Sequence, residues 1–221
     1  MEVNQVLTRL LTVERLRVFS DSVLLVAITI LAYNLTPPSL INGKLSGIET
    51  QSFLNNVYGL LSSFFVISFF WLLYTKILEY VSEIDDIVVV ISLIFFIFVL
   101  FIPVFTLGQF QYKNLQSVLS LAMLQIVNGF SLLLLWTYLI KHRRKLMTAE
   151  TGREVEVLST DNNRYMYSRL ALIPCIYLIT IAIALLVSIQ IASIFPVTIV
   201  PAVVLLAEAF GSKKKRKETA N

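Results

Sequence analysis

The sequence predicts an all-α polytopic membrane protein, and three observations lead to that prediction. The chain has 221 residues, is 57% hydrophobic and has a mean hydropathy of +0.80. Charged residues make up 14% of it, whereas soluble domains carry about 25%. Its apolar residues lie in long charge-free blocks, and a helix needs roughly 20 such residues to cross hydrocarbon. These blocks predict membrane-spanning helices in place of a single water-facing core.

Five charge-free blocks divide into six predicted helices. The last block, Leu170–Ala207, would extend about 57 Å as one helix, which is almost two bilayers. Pro196 lies near its middle and lacks a backbone donor, so we place a tight turn at Ser193–Pro196. The predicted helices are 16–35, 55–76, 86–107, 115–140, 168–191 and 195–210, followed by a basic tail at 211–221. They form one transmembrane domain over residues 1–221.

Basic residues predict the orientation of these helices. Of the 18 Lys and Arg residues, all but Lys44 and Lys113 fall on segments that share a side with the N-terminus. Cytoplasmic loops carry an excess of Lys and Arg, so both termini are expected in the cytoplasm. An even number of spans agrees with this. We therefore expect a multi-pass protein of the cell membrane.

The sequence offers little for catalysis or for a resident cofactor. It contains one histidine, His142, and one cysteine, Cys175, which disfavours a metal site built from imidazole and thiolate. It has no Walker loop, no dinucleotide-binding loop and no nucleophile–base pair. The seven glycines are scattered, so the carbonyl filter loop of common potassium channels is missing too. We expect no enzyme activity, no cofactor and no nucleic-acid partner.

The first predicted helix organises the chain. Asp21 lies one turn past Arg17, where the apolar run begins, and a charge at such depth costs roughly 2.5–3.5 kcal/mol, which marks a functional site by default. At 100° per residue, one row lies within about 60° of a single line, with Asp21 and Arg17 on the other side. Geometry alone favours a lipid-facing or core stripe for this row over a pore lining. Its members are Phe19, Ser22, Val26, Thr29, Ile30 and Tyr33.

The opening of this helix resembles a known family. Arg15-Leu16-Arg17-Val18-Phe19-Ser20-Asp21 matches Arg-x-x-x-Phe-Ser-Asp, and it resembles the signature of the transmembrane protein 175 family of cation channels. The likeness continues from Ser22 to Thr29, and weaker echoes are Ser63-Phe64 with Trp71 and the segment from Phe101 to Phe105. The length and the six predicted helices suit a prokaryotic member. This resemblance favours the pore-facing interpretation of the row.

What the resemblance implies is a potassium-permeable homotetramer whose first helices line a central pore without a carbonyl filter. Val26 would form the narrowest ring, with Ile30 and Tyr33 further outward, and such apolar rings gate by dewetting. Thr29 and Ser22 would be the polar pore-lining residues. The structural network of the motif would comprise Arg15, Phe19, Ser20, Asp21 and Trp71. The expected partners are further copies of the chain, potassium as the permeant ion, and membrane lipids, with no bound metal.

For Asp21 we expect hydrogen-bond donors at matching depth, namely Arg15 or Arg17, Ser20, or the indole of Trp71. Two departures from the family pattern bear on the details. Val26 is shorter than the isoleucine or leucine usual at the constriction, and Tyr74-Thr75 stand where prokaryotic members commonly have histidines.

Two alternatives remain open. A secondary transporter would need inverted repeats and polar midplane sites, and no second half here mirrors the segment around Asp21. A membrane scaffold without transport would need no specific motif in the first helix.

Overall fold

The computed structural model describes residues 12–33, 35, 37, 40–41, 44–45, 47–81, 83–142, 160–196, 198–200 and 202. Its long helices are α1 (Val13–Tyr33), α2 (Gly47–Leu78), α3 (Asp86–Tyr112), α4 (Leu115–His142) and α5 (Thr160–Leu186). A shorter apolar helix, α6, spans Ile189–Val200. In the connection from α1 to α2, the short strands β1 (Leu40–Ile41) and β2 (Lys44–Leu45) pair antiparallel.

Four helical segments within the described ranges are long and apolar enough to cross a membrane. They are Glu49–Leu78, Asp86–Tyr112, Leu115–Lys141 and Asn163–Leu186. The predicted helical, multi-pass membrane architecture is therefore confirmed, apart from the two-residue strands β1 and β2, which the sequence did not predict. Six spans per subunit stay a prediction, because α1 and α6 are not among these four segments.

The reversal from α3 to α4 takes two residues, each with a local physical reason. Lys113 adopts the left-handed conformation (φ 49°, ψ 35°), and its N–H donates to the Gln109 carbonyl at 3.1 Å, which ends α3. The next residue, Asn114, accepts the Ser117 N–H on Oδ1 at 2.8 Å and so starts α4. The short turn makes α3 and α4 antiparallel neighbours.

The predicted turn at Ser193–Pro196 is wrong. Helix α5 ends at Leu186, and the break falls at Val187–Ser188. Ser188 Oγ accepts the Gln190 N–H at 3.2 Å, and the Ser188 carbonyl accepts the Ala192 N–H at 3.0 Å, so Ser188 begins α6. A side chain that satisfies free N–H groups starts a helix here, whereas Pro196 lies within the helical residues. The predicted end of the last helix and the basic tail lie outside the described residues.

Other helices extend beyond the predicted spans. Helix α2 begins at Gly47 instead of residue 55, α3 ends at Tyr112 instead of 107, and α5 begins at Thr160 instead of 168. A charge-free run of residues indicates only the part of a helix that crosses hydrocarbon. The backbone stays helical through polar residues beyond that run.

Among the glycines described, Gly129 makes the closest contact with a neighbouring helix. A Cβ on Gly129 of α4 would lie 2.2 Å from Cγ and 2.5 Å from Cδ of Pro174 in α5. Small residues let membrane helices approach closely. In lipid the helices associate through van der Waals packing and not through the hydrophobic effect. Helix α4 also packs on α3, and α1 packs on α2 and α3, so α1 lies at one edge of this arrangement.

Candidate functional site: the exposed face of the first helix

Helix α1 has one face buried against its own subunit. The buried residues fall within an arc of about 100°, since each residue advances the helix by 100°. Their side chains are at most 9% exposed, and they are Leu16, Ser20, Val23, Leu24 and Ala27. The rest of the circumference is only partly covered by α2 and α3.

The predicted row lies outside this buried arc. Val26 is 50% exposed and Tyr33 is 89% exposed, while Phe19 and Ile30 are more than a third exposed. Ser22 and Thr29, the polar members of the row, are exposed as well. The interpretation of the row as a core stripe of one subunit is therefore wrong. Because Val18 and Leu25 are also exposed, α1 offers a broad apolar surface to lipid or to another chain.

The two aliphatic hydroxyl groups in the row, those of Ser22 and Thr29, donate their hydrogens to carbonyls of α1 itself. Ser22 Oγ donates to the Val18 carbonyl at 2.9 Å, and Thr29 Oγ1 donates to the Leu25 carbonyl at 2.7 Å. A hydroxyl has one hydrogen and two lone pairs, so each oxygen is left with acceptor capacity. Acceptor oxygens suit cations and not anions.

The motif aspartate is bonded to the next helix. Trp71 Nε1 in α2 donates to Asp21 Oδ1 at 2.8 Å, which is the predicted donor from helix two. Ser20 does not join this pair, because its buried hydroxyl donates to the Arg17 carbonyl at 2.7 Å. Arg15 contributes to the start of α1 through its backbone N–H, which donates to Thr12 Oγ1 at 3.3 Å. The Trp71–Asp21 bond fixes the rotation of α1 relative to α2, since a charged acceptor makes the bond strong.

An aromatic cluster from α2 and α3 positions Phe19, the phenylalanine of the motif. The Phe19 ring meets Phe96 of α3 edge-on, with centroids 5.7 Å apart. Tyr74 of α2 contacts the same Phe96 at 5.0 Å and stacks on Phe95 at 5.6 Å. Such pairs contribute roughly 0.5–1.5 kcal/mol each beyond their buried area. Together they join α1, α2 and α3 at the level of the motif.

Tyr74 has a structural role that sequence reasoning missed. Its hydroxyl donates to Ser92 Oγ of α3 at 3.1 Å, and Ser92 Oγ donates in turn to the Val88 carbonyl at 2.7 Å. The residue that departs from the family pattern thus supplies its own link between α2 and α3. The available signal was a tyrosine one turn after Trp71 in an apolar helix, where a buried hydroxyl needs a partner.

Sequence reasoning also missed two buried polar residues, Gln125 and Asn128 in α4. Both are fully buried, and neither amide has a hydrogen-bond partner among the described residues. Their spacing of three residues puts them on one helix face, and two amides inside an apolar block were a signal visible in the sequence.

The chain is similar to known proteins in sequence and in fold. The family profile described as "Endosomal/lysosomal potassium channel TMEM175" matches residues 15–103, which include most of α1, all of α2 and most of α3. A crystal structure of a lysosomal potassium-selective channel TMEM175 homolog from Chamaesiphon minutus is similar in fold, with a TM-score of 0.67 at 18% identity. The alignment covers 87% of this chain and 96% of that one. No curated protein sequence matches the chain.

Proposed function

We propose, from the premise that this chain is a member of the TMEM175 family, that it is a potassium-permeable cation channel of the cell membrane. The observation that supports this most is the exposed row of α1, which carries two acceptor hydroxyls and lies within the residues matched by the family profile. The homolog of similar fold is itself described as a potassium-selective channel.

In this proposal four subunits, each with six spans and cytoplasmic termini, assemble around the α1 row. A closed ring buries the same surface of each subunit and gives every member of the row a place at the same depth. Val26 forms the narrowest ring, Ile30 lies one turn further outward, and Tyr33 lies beyond it. The buried arc of α1 and its bond from Trp71 support this arrangement, because they direct the remaining apolar face away from the subunit's own core.

Permeation then depends on apolar rings and a few oxygens. Without a carbonyl filter, discrimination rests on ring width, on the water that an ion retains, and on the Thr29 and Ser22 oxygens. We therefore expect only a modest preference for potassium over sodium. A ring of four valines stops conduction when water leaves it, so the constriction is also the gate.

Single-channel recording from purified protein in planar bilayers tests the proposal. Discrete current steps belong to a channel and to neither a transporter nor a non-transporting scaffold. Val26→Ala widens the ring and should raise the unitary conductance, whereas Val26→Phe should abolish it. If Val26→Phe conducts normally, α1 does not line the pore.

Thiol accessibility gives an independent test with a matched control. In a background in which the exposed Cys175 is replaced by Ser, Val26→Cys should react with a small charged thiosulfonate and lose current. Leu134→Cys on α4 is the control, since Leu134 is exposed to a similar degree (59%) in one subunit and is expected to face lipid. Reaction at position 134 but not at 26 would contradict the proposal.

A further inference from the structure

Two amide side chains lie unpaired in the centre of the bundle. Gln125 and Asn128 of α4 are fully buried, and the oxygen and the nitrogen of each amide lack a hydrogen-bond partner among the described residues. Asn128 is the middle residue of the apolar segment Leu115–Lys141, so both amides lie near the centre of the hydrocarbon. Buried polar groups are nearly always bonded to protein or to ordered water, because an unpaired one bears the full cost of its lost hydration.

Helix α3 brings a further polar group to the same depth. The chain reverses at Lys113 and Asn114, so residues equally far from this turn on α3 and α4 are level. Asn128 lies 14 residues after Asn114, and Val99 lies 14 residues before Lys113, each about 21 Å along its helix. Pro103 has no N–H to donate to the Val99 carbonyl, so this carbonyl cannot make its usual bond within the helix.

Helix α5 presents similar groups on its side of α4. The contact of Gly129 with Pro174 fixes the register of these antiparallel helices. Pro174 likewise leaves the Leu170 carbonyl without its usual N–H donor. Thr180 lies about 9 Å beyond Pro174, and Gln125 lies about 6 Å from Gly129 in the same direction. Thr180 and Gln125 are therefore level to within about 3 Å.

Two buried threonines add acceptor oxygens near this level. Thr106 of α3 and Thr180 of α5 are at most 2% exposed, and Thr106 is within about 6 Å of the depth of Gln125. Thr106 Oγ1 donates to the Ile102 carbonyl at 2.8 Å, and Thr180 Oγ1 donates to the Ile176 carbonyl at 2.9 Å. Because each hydroxyl has used its hydrogen, its oxygen can only accept a further bond.

These groups determine which kind of ligand fits them. Each amide offers N–H donors and an acceptor oxygen, while the freed carbonyls and the threonine oxygens offer acceptors alone. A cation would satisfy the oxygens and leave the N–H groups unpaired, and an anion would do the reverse. A water molecule both donates and accepts. Ordered waters also bond the carbonyls that prolines free in membrane helices.

We propose that Gln125 and Asn128 hold ordered water between α3, α4 and α5, and that this water links the amides to the polar groups of the two neighbouring helices. The site lies inside one subunit and is separate from the α1 row, since α1 packs on α2 and α3. The proposal is therefore independent of ion conduction.

Thermal unfolding of the purified full-length protein tests the proposal with shape-matched variants. Asn128→Leu and Gln125→Met replace an amide by an apolar group of similar shape. Each should break the bonds of one amide to water and lower the melting temperature by roughly 3–6 °C. Leu132→Met is the control, because Leu132 is buried on the same face of α4 and the change there alters packing alone.

Two results of this measurement would overturn the proposal. A higher melting temperature in either amide variant would mean that the amide is unpaired in the native protein, because removal of an unpaired buried group is stabilising. A decrease no larger than that of Leu132→Met would assign the whole effect to packing.

A structure of the unaltered protein at a resolution that shows ordered water is a second test and needs no variant. Water density should lie about 2.7–3.2 Å from polar atoms of both amides. Density that strengthens when rubidium replaces potassium would identify a cation in place of water. A direct bond between the two amides, with no water beside them, would also contradict the proposal.

Discussion

A side-chain hydrogen bond joins the family motif to the second helix. The Trp71 indole and the Asp21 carboxylate are 50 residues apart in the chain and 2.8 Å apart in the structure. Asp21 is exposed in one subunit, so its carboxylate is available to a neighbouring chain as well as to Trp71. We infer that Asp21 orients α1 for assembly and does not bind permeant ions.

Trp71→Phe should therefore damage assembly before it alters selectivity. Hydrogen bonds to charged groups contribute roughly 1.5–3 kcal/mol, and the variant keeps a smaller aromatic ring while it removes the donor. We expect loss of the tetramer in size-exclusion chromatography with light scattering, and a lower melting temperature.

Ser22→Ala is the matched control for Trp71→Phe. The Ser22 hydroxyl bonds only within α1, so its removal should leave the tetramer and the melting temperature almost unchanged. A Trp71→Phe protein that stays tetrameric and shows altered potassium-to-sodium selectivity would make Asp21 a permeation residue.

For single residues, the sequence predicted a contact where a charged residue lies in an apolar segment. The hydrogen bond between Asp21 and Trp71 was predictable from their matching depth in the membrane. A lone carboxylate at that depth needs a hydrogen-bond donor, and few donors are available. The bond from Tyr74 to Ser92 did not follow, because serines are frequent in the chain and their choice of partner depends on tertiary packing. The burial of Gln125 and Asn128 likewise depends on which face of α4 meets its neighbours.

At the scale of the helices, the contact of α4 with α5 leaves the least room for a side chain among the described glycines. Gly129 meets the Pro174 ring, which is fixed to its own backbone and cannot rotate away. The existence of both helices was predictable from their apolar length, whereas this contact was not, because it depends on the register between them. The start of α6 at Ser188 was missed for a related reason, since hydropathy does not register a polar cap.

Gly129→Ala should destabilise the protein by about 1–3 kcal/mol, the usual cost of overpacking a core. The new Cβ would lie 2.2 Å from Pro174 Cγ, so the helices must separate. Thermal unfolding followed by tryptophan fluorescence, together with monodispersity in detergent, measures the effect.

Gly108→Ala in α3 is the control, since its Cβ would have no neighbour closer than 3.8 Å. It should leave stability unchanged or slightly higher, because alanine favours a helix over glycine by about 1 kcal/mol. Equal stability of the two variants would mean that α4 and α5 are not packed as described.

On the scale of the whole molecule, the sequence predicted a helical membrane protein, which is confirmed, and a resemblance to one family, whose profile matches residues 15–103. Hydrocarbon imposes helices of a set length, so composition alone was enough for the architecture. Assembly is different, because it depends on the contact of one copy with another. The exposed face of α1 is open to lipid or to another chain, and the four-fold arrangement remains a prediction.

The predicted orientation can be tested by reporter fusions. A reporter after Asn221 should be cytoplasmic, and one inserted within residues 36–46 should be external, because all but two basic residues fall on the other side. Enzymatic reporters that are active on opposite sides of the membrane, fused at both places, measure this. An external reporter after Asn221 would contradict the six-span topology.

The hydroxyls of Ser22 and Thr29 have a consequence for the life of an unassembled subunit. Each is already bonded to a carbonyl of its own helix, so neither leaves an unpaired donor when α1 faces lipid. An unassembled subunit can therefore expose these two side chains to lipid without a strong polar penalty. Quality control that detects exposed polar groups would therefore have to recognise such a subunit by another group, such as the exposed Asp21 carboxylate.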